Sequence, residues 1–79
     1  MKARIEIRLK AGILDPQGKA IGGALSGLGY GGLGEVRQGK LIDLDLAESD
    51  PAKAKASLKE MCEKLLANTV IEKYEIELK

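Results

Sequence analysis

Apolar and polar residues alternate at the start of the chain, with Ala3, Ile5, Ile7 and Leu9 on one side and Arg4, Glu6, Arg8 and Lys10 on the other. A period of two with one apolar face predicts a half-buried strand. After a connection from Gly12 to Pro16 the period changes. Ala20, Ile21, Ala24, Leu25 and Leu28 share one face of a helix that ends near Gly29. Asp15-Pro16 marks its start, because the carboxylate accepts from free N–H groups of the first turn and proline at the first helical position loses no bond. Gly18, Gly22, Gly23 and Gly27 each weaken this helix by ~1 kcal/mol relative to Ala, so packing must hold it. The next segment is extended. A hairpin at Gln38-Gly39 would put Val36 on the side of Leu41, Asp43 and Asp45, whereas a continuous strand puts it with Ile42, Leu44 and Leu46. The better apolar face favours one long strand, with Gly39 as the place for a bend.

Asp50-Pro51 repeats the helix start, and Ala54, Leu58, Met61, Cys62 and Leu65 follow at the spacings of an amphipathic helix. Asn68 stops it, since Asn tolerates the left-handed conformation that often ends a helix. Val70, Tyr74, Ile76 and Leu78 then alternate with Ile71, Lys73, Glu75 and Glu77 in a closing strand. The order is strand, helix, strand, helix, strand in a single domain spanning residues 1–79. The expected fold is α+β: a two-layer sandwich with an antiparallel or mixed sheet, both helices on one face, and a likeness to half of a ferredoxin-like fold. The opposite face, with Arg4, Glu6, Arg8, Asp43, Asp45, Lys73, Glu75 and Glu77, reads as solvated. The liability is a long sheet edge, which invites pairing with another copy, so dimerisation is expected to complete the fold.

Composition narrows the function. At 79 residues with no Trp or Phe, a chain this short buries only roughly 60–65% of the surface it exposes unfolded. The net charge of +1 comes from 13 basic and 12 acidic residues spread along the sequence, with no basic cluster of the kind that grips nucleic acid. No apolar run reaches the length of a membrane span, and the N-terminus reads as a strand, not a signal peptide. Cys62 stands alone and His is absent, which rules out an intrachain disulfide or a motif of metal ligands. A cytosolic domain is expected.

Motifs that resemble chemistry fail on context. Gly27-Leu28-Gly29-Tyr30-Gly31-Gly32 matches the dinucleotide fingerprint by letter, but these glycines leave a helix and enter a strand, where helix carbonyls repel phosphate. Gly34-Glu35-Val36-Arg37-Gln38-Gly39-Lys40 follows the P-loop pattern until Leu41 replaces the Ser or Thr that would hold magnesium. Nucleophilic catalysis needs a base beside Ser, Cys or Thr, and no such set exists; Cys62 reads as a core residue and the acids form no convergent pair. What stands out instead is polar residues in phase with apolar neighbours: Gln38, Lys40 and Glu72 cannot be left unpaired in a dry core. They either run past the helices into water or meet a subunit, with Lys40 and Glu72 as candidate partners. Tyr30 divides likewise between loop packing and an interface anchor.

The strings Leu9-Lys10, Leu14-Asp15-Pro16-Gln17-Gly18, Leu28-Gly29-Tyr30, Val36-Arg37-Gln38-Gly39-Lys40, Cys62 to Leu66, Ala67-Asn68 and Val70-Ile71-Glu72 occur in an order that resembles the PurS subunits of phosphoribosylformylglycinamidine synthase. The run Gly31-Gly32-Leu33-Gly34 is richer in glycine than that pattern. The resemblance implies a non-catalytic small subunit of an ATP-dependent, glutamine-using C–N ligase of purine biosynthesis. Such a subunit bridges a synthetase subunit (PurL), which binds ATP and formylglycinamide ribonucleotide, to a glutaminase subunit (PurQ) that releases ammonia. ATP, Mg and glutamine would belong to those partners, with no cofactor on this chain, and self-association as dimer or tetramer is implied. Tyr30, Arg37, Gln38, Lys40 and Glu72 are then the candidate interface residues, and Asp15, Pro16, Gly18, Gly39 and Asn68 the structural ones. Two other readings stand beside this one: a small dimeric ligand-sensing regulatory domain, and a generic oligomerisation module.

Overall fold

The alternation of the first strand decides the architecture. In the computed structural model, which describes residues 1–79, β1 (Lys2–Leu9) is the middle of a three-stranded antiparallel sheet, flanked by β2 (Gly39–Asp45) and β3 (Glu72–Leu78). Ile5 lies opposite Ile42 on one side and Ile76 on the other, and Ile7 opposite Lys40 and Tyr74. This register puts Ala3, Ile5 and Ile7 on one face, where they are buried with Leu58, Cys62 and Ala67. Leu58 belongs to α2 (Pro51–Met61), and Cys62 to a π-helical turn (Cys62–Leu66) that continues it. The element order and antiparallel pairing agree with the strand-helix-strand-helix-strand reading.

Several details differ from that reading. Both helices were expected over the sheet, but only α2 covers it. The first helix, α1 (Pro16–Gly27), buries only Gly18, while Ile21 and Leu28 are exposed. The chain leaves β1 through Gly12 at φ +84° and runs outward, and the return segment lies along α1 with Val36 against Gly22. Together they form an arm. The radius of gyration is 16.0 Å, against about 11.6 Å for a compact domain of this length. The accessible surface is 5739 Å², against about 4,600 Å² for a compact monomer of this mass.

Nor is the middle strand continuous from Val36. β2 begins at Gly39, opposite Arg8; the next residue back, Gln38, would face Leu9, but its N–H donates to the Asp15 carboxylate instead. Gly39 also sits tight against the strand: a Cβ there would lie 2.9 Å from the Ile7 carbonyl. The second helix changes phase near its end. The Ala67 N–H donates to the Cys62 carbonyl at 3.0 Å, a five-residue step that widens the last turn. Cys62, Leu66 and Ala67 therefore turn inward, whereas Leu65, expected on the apolar face, is 83% exposed and Met61 lies largely outside the core. Asn68 is not left-handed, since no non-glycine residue has positive φ. It acts through a turn, its side-chain oxygen accepting from Val70 N–H at 3.2 Å and its carbonyl from Ile71 and Glu72.

Core packing is thin, and one residue anchors α2 to the sheet. Leu58→Ala leaves a cavity over Ile5 and Ile7 and is expected to cost about 2–5 kcal/mol. Urea denaturation should show this as a lower midpoint at similar slope.

Candidate interface site

The base of the arm is organised by Asp15. The residue caps α1: one carboxylate oxygen accepts from Gly18 N–H at 2.8 Å, and Pro16 fills the first helical position. The other oxygen accepts from the Gln38 N–H at 2.7 Å, across a sequence separation of 23. One buried carboxylate thus clasps the start of the helix to the entry of β2. These bonds, that from Gln38 first and that from Gly18 next, hold the Asp15 carboxyl below the usual carboxylate range. Gly18 is required where the return segment crosses: a Cβ there would collide with the Val36 carbonyl and lie 2.8 Å from Asp15 Oδ2. At the far end of α1, Gly29 at φ +99° lets its own N–H reach Ser26 and the Tyr30 N–H reach Leu25, both at 3.1 Å, a Schellman closure.

Arg37 supplies a second clasp. Its guanidinium donates to the Ile13 carbonyl at 3.1 Å and the Lys10 carbonyl at 3.3 Å, and pairs with Glu35 at 3.5 Å. Both clasps border an open groove of ≈ 870 Å³, whose lining includes Arg8, Lys19, Lys40 and Lys73. Around the strand ends, Lys40 Nζ lies 3.3 Å from a Glu72 oxygen. The other Glu72 oxygen accepts from the Asn68 N–H at 2.7 Å. That amide first, and Lys40 second, hold the Glu72 carboxyl below the usual range. Lys40 remains 58% exposed and Glu72 only 14%, so a largely covered carboxylate is matched by a cation still open to solvent.

Of the residues singled out from sequence, Asp15, Pro16, Gly18, Arg37, Gln38 and Gly39 meet at the base of the arm, and Lys40, Glu72 and Asn68 meet beside it. Tyr30 stands apart, 60% exposed just past the end of α1. Gln38 enters through its backbone amide, while its residue as a whole is exposed. One contact had no sequence signal: the Tyr74 hydroxyl donates to Glu63 at 2.7 Å. That carboxylate acceptor pushes the phenol up to about 12 and pins the π-turn to β3. Burial raises the Cys62 thiol. No group of three or more His, Cys, Asp or Glu side chains is arranged to hold a metal ion, and no helix is long and apolar enough to cross a membrane.

Backbone amides, carbonyls and charges already paired hold a shape rather than present a reacting atom. The fold and site define a small α+β protein whose polar groups hold a projecting arm in place. A family model for PurS, phosphoribosylformylglycinamidine (FGAM) synthase, matches residues 2–79, and the chain belongs to that family. It is 48% identical to the PurS subunit of this synthase from Synechocystis over 95% of this chain and 75% of that one. The crystal structure of Methanocaldococcus jannaschii PurS, a subunit of formylglycinamide ribonucleotide amidotransferase, superposes with a TM-score of 0.89 at 45% identity, covering 99% and 94% of the two chains. A chain in the structure of PurLQS from Thermotoga maritima superposes with a TM-score of 0.87 at 32% identity over 96% and 93%.

The clasp carries a pH signature. With its carboxyl held low, Asp15 contributes stability that is fully present above the ordinary carboxylate value, about 3.9, and is lost as pH falls through its folded value. Asp15→Asn keeps a capping oxygen but turns a donor toward Gln38 N–H. It should lower the melting temperature by roughly 5–10 °C at neutral pH, and flatten the decline of melting temperature in acid.

Proposed function

We propose that this chain is a non-catalytic structural subunit of FGAM synthase, a single domain over residues 1–79 that works in the cytoplasm. It joins the glutaminase subunit to the ATP-dependent synthetase subunit in a ligase complex, as the presence of a similar chain in the T. maritima PurLQS structure supports. The observation that carries this reading is the arm: a projecting, clasped helix and return segment that a free monomer has no core to cover. Tyr30, Arg37, Gln38, Lys40 and Glu72 form the contact set, and copies of the chain associate with each other within the complex. Holding two active sites in register lets ammonia pass between them, which raises its effective concentration where it reacts. The chain itself binds no cofactor; ATP, Mg and glutamine are used by its partners.

The purified chain should show no glutaminase or ATPase turnover, yet restore glutamine-dependent synthesis to the two larger subunits. Synthesis from free ammonium should depend on it much less. Unchanged glutamine-dependent activity on its addition would overturn the bridging role.

Lys40 and Glu72 give a finer test. An exposed bridge is worth about 0–1 kcal/mol, so Lys40→Ala should barely change the stability of the isolated chain. In a desolvated contact Glu72 would be left without its cation, and affinity for the larger subunits should fall at least roughly tenfold. The exchange Lys40→Glu with Glu72→Lys should recover part of it. Binding unaffected by Lys40→Ala would make the pair a solvated one.

A further inference from the structure

The open face of the sheet sorts its charges rung by rung. Arg4 lies opposite Asp43 on one side and Glu77 on the other, and it pairs with Asp43 at 2.9 Å. On the next rung Glu6 faces Glu75, and on the last Arg8 faces Lys73. Like charges directly opposite one another destabilise a strand pair. On its other side Arg8 faces Gly39, which places no side chain beside it; a Cβ there would lie 3.2 Å from Arg8 Cγ. The cationic rung therefore opens into the groove of ≈ 870 Å³ at the base of the arm.

Five cations and three acids line that groove, and most of them are already engaged. Both Asp15 oxygens accept backbone N–H groups, Glu35 pairs with Arg37, and Lys40 pairs with Glu72. Arg8, Lys19 and Lys73 remain, against Glu6 alone. Glu6 accepts from Arg8 Nη2 at 3.3 Å, which leaves the other guanidinium N–H groups free. Lys19 and Lys73 take part in no ion pair.

We propose that this groove binds a phosphate group, free or carried by a small organic molecule, held by Arg8 and Lys73 from the sheet and Lys19 from α1. A phosphate concentrates up to about two negative charges on one compact group, which suits two cations on neighbouring strands and a charge-assisted bond from the guanidinium. The carboxylates of an acidic peptide are strung along its backbone and suit cations set out in a line. Leu14 and Leu41, 66% and 54% exposed in the same lining, give an organic part an apolar surface to rest on. An occupant touches both the sheet and α1, so it braces the arm alongside the clasps of Asp15 and Arg37. The site is independent of the bridging role, which the glutamine-dependent assay tests separately.

The test titrates the isotope-labelled full chain with inorganic phosphate, adenosine monophosphate and hexaglutamate at constant ionic strength, reading amide shifts. Expected is saturation by phosphate below about 5 mM, with the shifts centred on Arg8, Gly39 and Lys73. Tighter binding of the monophosphate ester than of inorganic phosphate assigns an organic ligand, and equal or weaker binding assigns free phosphate. Lys73→Glu should keep the circular dichroism of the wild type and weaken phosphate binding at least ~10-fold. Lys55→Glu, the same charge change at an exposed position of α2, should leave it unchanged. Equal loss in the two variants, tighter binding of hexaglutamate than of either phosphate, or shifts that never saturate overturn the site.

Discussion

Everything in this fold hangs on the contact of Ile5 and Ile7 with Leu58 and Cys62, all four completely buried. That contact is where the central strand meets the one helix that covers it. The four are the largest fully buried side chains in a chain without Trp or Phe. Because β1 is paired on both sides, burying its inner face also orders β2 and β3. Nothing comparable is left for α1, and a helix with interior glycines has little propensity to fall back on. Its order comes from polar clasps at its base and a Schellman closure at its end.

This division gives the molecule two kinds of stability. The sheet and α2 are held by burial, which is non-directional and insensitive to pH. The arm is held by directed hydrogen bonds to one carboxylate and one guanidinium, which fix an angle as well as an energy. The core keeps the sheet intact, and the clasps set the position of the arm independently of it. The pairing of Lys40 with Glu72 and of Tyr74 with Glu63 extends the same polar control to the strand ends and the π-turn.

Membership in the FGAM synthase PurS family fits a chain whose conspicuous residues are structural. Asp15, Gly18, Arg37 and Gly39 lie in the strings that carry the family resemblance, and each has a geometric duty here: capping, close approach, carbonyl bracing, or passage beneath a strand carbonyl. None of these duties requires a reacting atom.

By itself the sequence determined the order of the elements, both Asp-Pro helix starts, the end of α1 at Gly29 and the inward face of β1, because these follow from local periodicity and capping chemistry. It also showed Lys40 and Glu72 as polar residues in core phase. Only the tertiary structure decided that α1 leaves the sheet, since alternation marks an apolar face without saying what covers it. The partner of Gln38's amide lies 23 residues away, beyond any local pattern, and the loss of that amide to Asp15 leaves Gly39 as the first residue of the ladder. The phase shift that turns Leu65 out and Leu66 in arises from a single widened turn at Cys62, which an even helical period does not reveal.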